Sequence, residues 1–182
     1  MTEAATVERD EKLRLFLALE LPAATVDSLA TWGRRHLAGS RVLESFHVTL
    51  AFLGARPRSE LDGILGALSD AAAATRPFLL APARYRETRS VGMLVLDDPS
   101  GEATRLAERL QLRLEELGCY RREARPWLPH VTVLRFRERP RLAPPLPKIE
   151  PFAPSGVAAF LSRLHPSGAR YEILERRTLE GG

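Results

Sequence analysis

Runs of apolar residues divide the first half of the chain into alternating strands and helices. Leu13–Glu20 predicts a buried strand, and the helical spacing over Ala23–Leu37 predicts a helix. Phe46–Leu53 has the pattern of a second strand. The helix predicted after it has a cap at Ser59 and an apolar stripe formed by Leu61, Ile64, Leu65 and Leu68. The first half is therefore expected to run strand, helix, strand, helix.

Short apolar runs in the second half predict a hairpin, then a helix and another strand. Phe78–Arg86 and Val91–Leu96 are expected to pair as the hairpin. Gly101–Leu117 carries its leucines on one helical face, and His130–Phe136 has a strand pattern. Repeated prolines after residue 137 remove backbone donors, so this segment is expected to be an irregular connector.

The last apolar runs, Val157–Leu164 and Ala169–Glu175, flank a Pro-Ser-Gly turn and predict a closing hairpin. Together these elements predict an α+β fold of two related halves that share a central cleft, with the helices outside. We expect the two halves to be related by a pseudo-two-fold duplication. The whole chain, residues 1–182, is expected to be one such domain, with residues 1–11 as a flexible tail.

One short pattern occurs in both halves, as FHVTL at 46–50 and PHVTV at 129–133. In a strand, residues i and i+2 point to the same face, so His47 lies beside Thr49, and His130 beside Thr132. A single histidine on a buried strand is more often a core residue than a catalytic one. The repeated threonine favours one site built from two equivalent strands.

Two facing histidines can supply the acid and the base that phosphodiester hydrolysis requires, because the pKa of imidazole lies near the working pH. Thr49 and Thr132 can donate hydrogen bonds to the non-bridging phosphoryl oxygens. Glu44 is the only acidic residue close to either motif, and two histidines alone rarely hold a catalytic metal. We therefore expect catalysis without a metal or other cofactor.

The pair of motifs resembles those of the two-histidine phosphoesterase superfamily. The surroundings resemble its RNA 2′,3′-cyclic phosphodiesterase branch, once described as a 2′-5′ RNA ligase, in the segments RLFLAL (14–19), HVTLAFLG (47–54), PHVTVLR (129–135) and LSRL through GARY (161–171). This resemblance implies a bilobal fold in which two antiparallel sheets face a central cleft. The same resemblance implies metal-independent opening of a 2′,3′-cyclic phosphate to a 2′-phosphate. It also implies that His47 is the proton donor and His130 the proton acceptor, although the sequence alone leaves this direction open.

Residues next to the motifs are candidates for substrate binding. Trp127 and Phe46 can stack on a base, and Arg135 can reach phosphate if a bulge or the strand end turns it to the face of His130. Five further arginines are candidates for a basic rim, namely Arg56, Arg58, Arg125, Arg137 and Arg139. His36 and His165, which lack a threonine at i+2, are expected to be structural or exposed.

Composition narrows the class of protein without identifying it. The chain has 27 basic and 23 acidic residues, nearly all the bases being arginine, which fits either a phosphorylated partner or a coding bias. The single Cys119 fits a reducing cytoplasm, and no apolar run has the length of a membrane span. We expect a cytoplasmic monomer that acts on RNA ends or cyclic nucleotides.

Two alternatives stay open. The same site can act on another cyclic or 2′-5′ linked nucleotide, or run backwards as a weak ligase. In a second class of function, the histidines only bind phosphate and the protein is a nucleotide- or RNA-binding module.

Overall fold

The computed structural model describes residues 11–37, 41–43 and 45–180; Glu44 and the first ten residues of the predicted tail lie outside this part. The helices are α1 Ala23–His36, α2 Leu61–Ala73 and α3 Glu102–Glu116, with a 3₁₀ turn at Arg58–Glu60. The strands are β1 Lys12–Glu20, β2 Arg41–Val42, β3 His47–Pro57, β4 Ala81–Glu87, β5 Val91–Asp97, β6 His130–Arg135, β7 Gly156–His165 and β8 Gly168–Arg177.

The long elements follow the apolar pattern closely, and two local predictions differ. Ser59 lies in the 3₁₀ turn, and Glu60 occupies the N-cap position of α2, so the predicted cap is wrong. The two-residue strand β2 was not predicted, because so short a pairing leaves no periodic pattern. The proline-rich segment after β6 is irregular, as expected, apart from a bridge between Leu80 and Phe152.

The α+β class with antiparallel strands is confirmed, but the strands form one sheet where two were expected. Its order is β4-β5-β6-β3-β1-β7-β8, with β2 beside β6. The two His-Thr strands are the inner edges of the two halves, and they pair through Val48 and Val131, so the halves share one hydrogen-bonded sheet. The pseudo-two-fold duplication stays a prediction.

All three helices cover one face of this sheet. Leu29 of α1, Leu68 of α2 and Leu110 of α3 belong to the same buried cluster as Leu17 of β1 and Val131 of β6. Burying each such side chain stabilises the fold by about 1.5–3 kcal/mol. Since alternate strand residues point to opposite faces, the other face of the sheet is left open to form a cleft.

One buried carboxylate helps to fix the irregular segment after β6 to the sheet. The side chain of Glu87 is 2% exposed and accepts hydrogen bonds from Tyr85 Oη (3.1 Å), Arg139 Nε (3.1 Å) and the backbone N–H groups of Arg141 (3.0 Å) and Leu142 (2.8 Å). Burial by itself raises the pKa of this carboxyl, but the four donors outweigh burial and hold the pKa below its ordinary value.

Glu87→Gln is expected to lower the free energy of unfolding by about 1–3 kcal/mol, because an amide nitrogen would face donors where an oxygen now accepts. In the wild type, this contribution is present above the unfolded-state pKa near 4.3 and is lost as pH falls through the lower folded-state pKa. Urea unfolding at several pH values measures both effects. Glu172→Gln, at an exposed position, is the control. Equal stability of the two variants would contradict a stabilising role for Glu87.

Candidate active site

The four motif side chains meet on the open face of the sheet. Antiparallel pairing of the two central valines sets the register of β3 against β6. Continued by one residue in each direction, this register brings His47 opposite Thr132 and Thr49 opposite His130. Each histidine therefore has a threonine beside it on its own strand and another across the strand boundary.

A β-bulge brings Arg135 back to the same face as His130. The register between β5 and β6 shifts between Gly92 and Met93, which leaves one extra residue on β6. Val133 and Leu134 are consequently both buried, and Arg135 lies exposed on the cleft. The sequence prediction required a bulge or a strand end for this orientation, and the bulge is present.

A second bulge, in β3, does the same for Phe52. The register between β1 and β3 shifts between Leu17, whose partner is Ala51, and Ala18, whose partner is Thr49, which leaves one extra residue on β3. Leu50 and Ala51 are both buried, whereas Phe52 is 50% exposed on the cleft. Counted from its histidine as residue i, each strand therefore presents residues i, i+2 and i+5 on the open face. Residue i+5 is Phe52 on β3 and Arg135 on β6.

The cleft between these strands and the closing hairpin has a volume of about 570 Å³, a size suited to a small organic ligand. Its polar lining includes Thr49, Thr132 and Arg135, and its aromatic lining includes Phe16, Phe52 and Tyr171. His47 lies on its wall, whereas His130 is not among the residues that line it. The cleft therefore combines hydroxyl donors and a cation with aromatic surface.

Aromatic rings surround the imidazole of His47. Its centroid lies 4.8 Å from Phe16, 5.8 Å from Phe160 and 5.6 Å from Tyr171, which meets it edge-on. The Nδ1 atom is buried, and no described residue forms a hydrogen bond with it. This environment removes water from the ring and disfavours its charged form.

The pKa of His47 is lowered to about 4, first by this burial and then by the positive charges of Arg135 and His130. The imidazole is therefore neutral at pH 7 in the free protein. Negative charge in the cleft would offset the two electrostatic contributions, although it would leave the contribution of burial in place.

A backbone carbonyl fixes the orientation of His130. Its Nδ1 atom lies 2.7 Å from the carbonyl oxygen of Leu128. Because a carbonyl oxygen only accepts, Nδ1 carries the proton, and Nε2 of the neutral ring is left with a lone pair. His130 is thereby in the tautomer that can take up a proton at Nε2.

The two aromatic residues predicted to stack on a base lie elsewhere. Phe46 is 7% exposed and belongs to the buried core, so it has no free ring face for a base. Trp127 packs against the same core, and its Nε1 donates to the carbonyl oxygen of Thr49 at 3.0 Å. Trp127 thus holds the backbone of the first motif.

The predicted basic rim is largely neutralised. Four of its five arginines have carboxylate partners, in the pairs Arg56–Glu60, Arg58–Glu11, Arg125–Glu123 and Arg139–Glu87. Arg137 has no ion-pair partner among the described residues. His36 ends α1, and His165 contacts Ser167 in the last turn, so neither lies beside the motifs.

Within the described ranges, no group of three or more His, Cys, Asp or Glu side chains lies close enough to hold a metal ion. No helix in those ranges is both long and apolar enough to cross a membrane.

The single cysteine, Cys119, is buried, and burial raises the pKa of its thiol.

Comparison with known proteins finds relatives that match nearly the whole chain. The RNA 2′,3′-cyclic phosphodiesterase of Escherichia coli is 28% identical over 179 residues, covering 93% of this chain and 98% of that protein. The protein of the same name from Thermus thermophilus is 32% identical over 186 residues, covering 93% of this chain and 91% of that protein. The crystal structure of E. coli LigT complexed with 3′-AMP has a TM-score of 0.82 at 25% identity, covering 93% of this chain and 99% of that one.

A family model matches as well, and it spans both His-Thr strands. The model describes the 2′-5′ RNA ligase superfamily and covers residues 19–161. With this match and the 32% identical relative, the chain belongs to the 2′-5′ RNA ligase superfamily.

Proposed function

We propose that this protein hydrolyses RNA 2′,3′-cyclic phosphate ends to 2′-phosphate ends, with His47 and His130 as acid and base and without a metal. The observation that carries the proposal is the register of β3 against β6, by which each histidine lies beside a threonine of the other strand on the open face of one sheet. The names of the two curated relatives support the same substrate class.

In the proposed reaction, Nε2 of His130 takes a proton from water. The water oxygen bonds to phosphorus while the bond from phosphorus to the 3′ oxygen breaks. His47 gives its proton to that departing oxygen, so the product carries a 2′-phosphate and a 3′-hydroxyl. Positioned acid and base groups each contribute about 10²- to 10⁴-fold to such a rate.

Thr49, Thr132 and Arg135 stabilise the phosphoryl group in this mechanism. The two hydroxyls donate to the non-bridging oxygens, and the guanidinium opposes the charge that grows as phosphorus becomes five-coordinate. Arg135 has no carboxylate partner among the described residues, so its charge is available to the substrate. Donors already fixed on two strands need little rearrangement when the transition state forms.

The nucleoside next to the phosphate would use the aromatic side of the cleft. The guanidinium carbon of Arg14 lies 4.9 Å from the ring centroid of Phe52, whose side chain is half exposed. Stacking of a base on such a ring contributes about 1–3 kcal/mol and tolerates any base. This geometry suits a substrate defined by its phosphate end rather than by its sequence.

The proposed function is tested by turnover of a short RNA with a 2′,3′-cyclic phosphate end, in the presence of EDTA. We expect hydrolysis at an undiminished rate, with the phosphate of the product at the 2′ position by phosphorus NMR. A ring-opened 3′-phosphate would contradict the assigned direction of opening. Loss of the rate in EDTA would contradict metal-independent catalysis, since a metal-bound hydroxide would then be the nucleophile. Binding without turnover would favour a nucleotide-binding module.

A further inference from the structure

The open face of the sheet differs in character on its two sides. Toward β1, β7 and β8 it carries the apolar cluster that contains Phe16 and Phe160. Toward β4, at the opposite edge of the sheet, it carries Arg84 and Arg86, both exposed. The nucleoside site accounts for the aromatic side, whereas nothing in the proposed reaction yet uses the two edge arginines.

Strand register connects these arginines to the motif residues. Residues that pair across antiparallel strands point to the same face, so each row of pairs marks a line across the sheet. The two rows are Arg84–Val95–His130 and Arg86–Met93–Thr132. Each arginine therefore lies on the face of the two motifs, two strands away from β6 and three strands away from β3.

The residues of β5 that lie between the arginines and the motifs are apolar and buried. Val95 is 2% and Met93 8% exposed, although both point toward the open face. Asp97 ends β5 beyond the row of Arg84, and Glu87 lies on the other face of β4. An extended ligand that runs from the motifs toward this edge of the sheet therefore meets two exposed positive charges on β4.

Both charges are available to a ligand. Among the described residues, neither Arg84 nor Arg86 forms an ion pair or a side-chain hydrogen bond. By contrast, four of the five arginines considered for a rim are already paired. A free guanidinium on an otherwise apolar strip suits phosphate oxygens, which it binds in a fork geometry.

We propose that Arg84 and Arg86 bind the backbone phosphates of the RNA strand just upstream of the reacting end. Neighbouring strands are about 4.8 Å apart, so the two arginines lie about 10 Å from the motif on β6 along the sheet, within reach of the next nucleotides. This inference rests on the proposed function and makes the preferred substrate an oligonucleotide end rather than a mononucleotide. Such contacts add affinity without reading sequence.

The test compares two substrates, a 2′,3′-cyclic mononucleotide and a five-nucleotide RNA with a 2′,3′-cyclic phosphate end. The variant is Arg84→Gln/Arg86→Gln, in which glutamine keeps part of the apolar stem. The control is Arg170→Gln on β8, an exposed arginine that is unpaired among the described residues. Arg170 pairs with Arg163, on the helix-covered face that also holds Leu161.

We expect the double variant to raise KM for the five-nucleotide RNA by about tenfold and to leave kcat/KM for the mononucleotide unchanged. The dependence of log KM on log salt should become shallower by about 1.4, because each lost phosphate contact in a single strand removes about 0.7. The control should match the wild type on both substrates. Equal losses on both substrates, or no loss on either, would overturn the proposal.

Fluorescence anisotropy with a labelled five-nucleotide RNA carrying a 3′-phosphate separates this proposal from the proposed function. If the wild type binds this RNA and the double variant binds about tenfold more weakly, the phosphate contacts stand even without turnover. If the wild type hydrolyses the cyclic ends but the variant binds normally, the proposed function stands and the contacts do not.

Discussion

Replacing His47 or His130 with alanine is expected to lower kcat for a 2′,3′-cyclic phosphate end by about 10³-fold, within the range for a positioned acid or base. Both groups act in one transition state, so neither can substitute for the other. The double variant should therefore be little slower than either single variant, because residues that act as a unit are far from additive. Steady-state kinetics on the two single variants and the double variant measures these losses in kcat.

In these variants, a loss of activity through unfolding has to be distinguished from a loss of catalysis. The Nδ1 atom of His47 is buried without a partner among the described residues, so its removal leaves no new unpaired polar group. His36→Ala at the end of α1 removes a histidine on the helix-covered side and should keep full activity. Near-wild-type turnover by folded His47→Ala or His130→Ala would exclude the two-histidine mechanism.

The part of the site that follows regular strand periodicity could be predicted from the sequence. The i, i+2 spacing placed His47 beside Thr49 and His130 beside Thr132 without any knowledge of the fold. The alternation fails at i+5, because each strand contains a bulge that adds one residue. A bulge depends on the partner strand, so Arg135 could be predicted only conditionally, and Phe52 was missed.

The equivalence of the two strands was nonetheless available as a signal for Phe52. It follows Thr49 by three residues, as Arg135 follows Thr132. Phe46 is a stacking candidate from sequence because it precedes a motif histidine. Adjacent residues along a strand point to opposite faces, however, and its ring lies in the core. Comparing the two halves position by position identifies the cleft residue better than closeness in sequence does.

The joining of β3 to β6 in one sheet could not be predicted from the local apolar pattern. Apolar runs specify which face of a strand is buried, but they do not specify which distant strand pairs with its edge. The pairing of Val48 with Val131 joins segments more than eighty residues apart, as the sequence numbers show. The cross-strand neighbours of His47 and His130, and therefore the shape of the site, follow from this one pairing.

The second large effect concerns the protonation of His47. Its pKa of about 4 in the free protein makes the imidazole neutral at pH 7, whereas the proposed acid must carry a proton. We expect binding of a nucleoside 2′-phosphate to raise this pKa by about 1–3 units, because an anion beside the ring favours the charged form. NMR titration of the imidazole with and without this ligand measures the shift.

The sign of this linkage can be checked independently through affinity. Because the bound state holds the proton more tightly, the nucleoside 2′-phosphate should bind more strongly as pH falls from the bound-state pKa toward the free-state pKa. Arg135→Gln removes one of the charges that lower the pKa and should raise it in the free protein, whereas Arg170→Gln should not. If the pKa of His47 stays near 4 with ligand bound, His47 cannot be the acid at pH 7. The roles of the two histidines would then be reversed, with His47 as the neutral base and His130 as the proton donor.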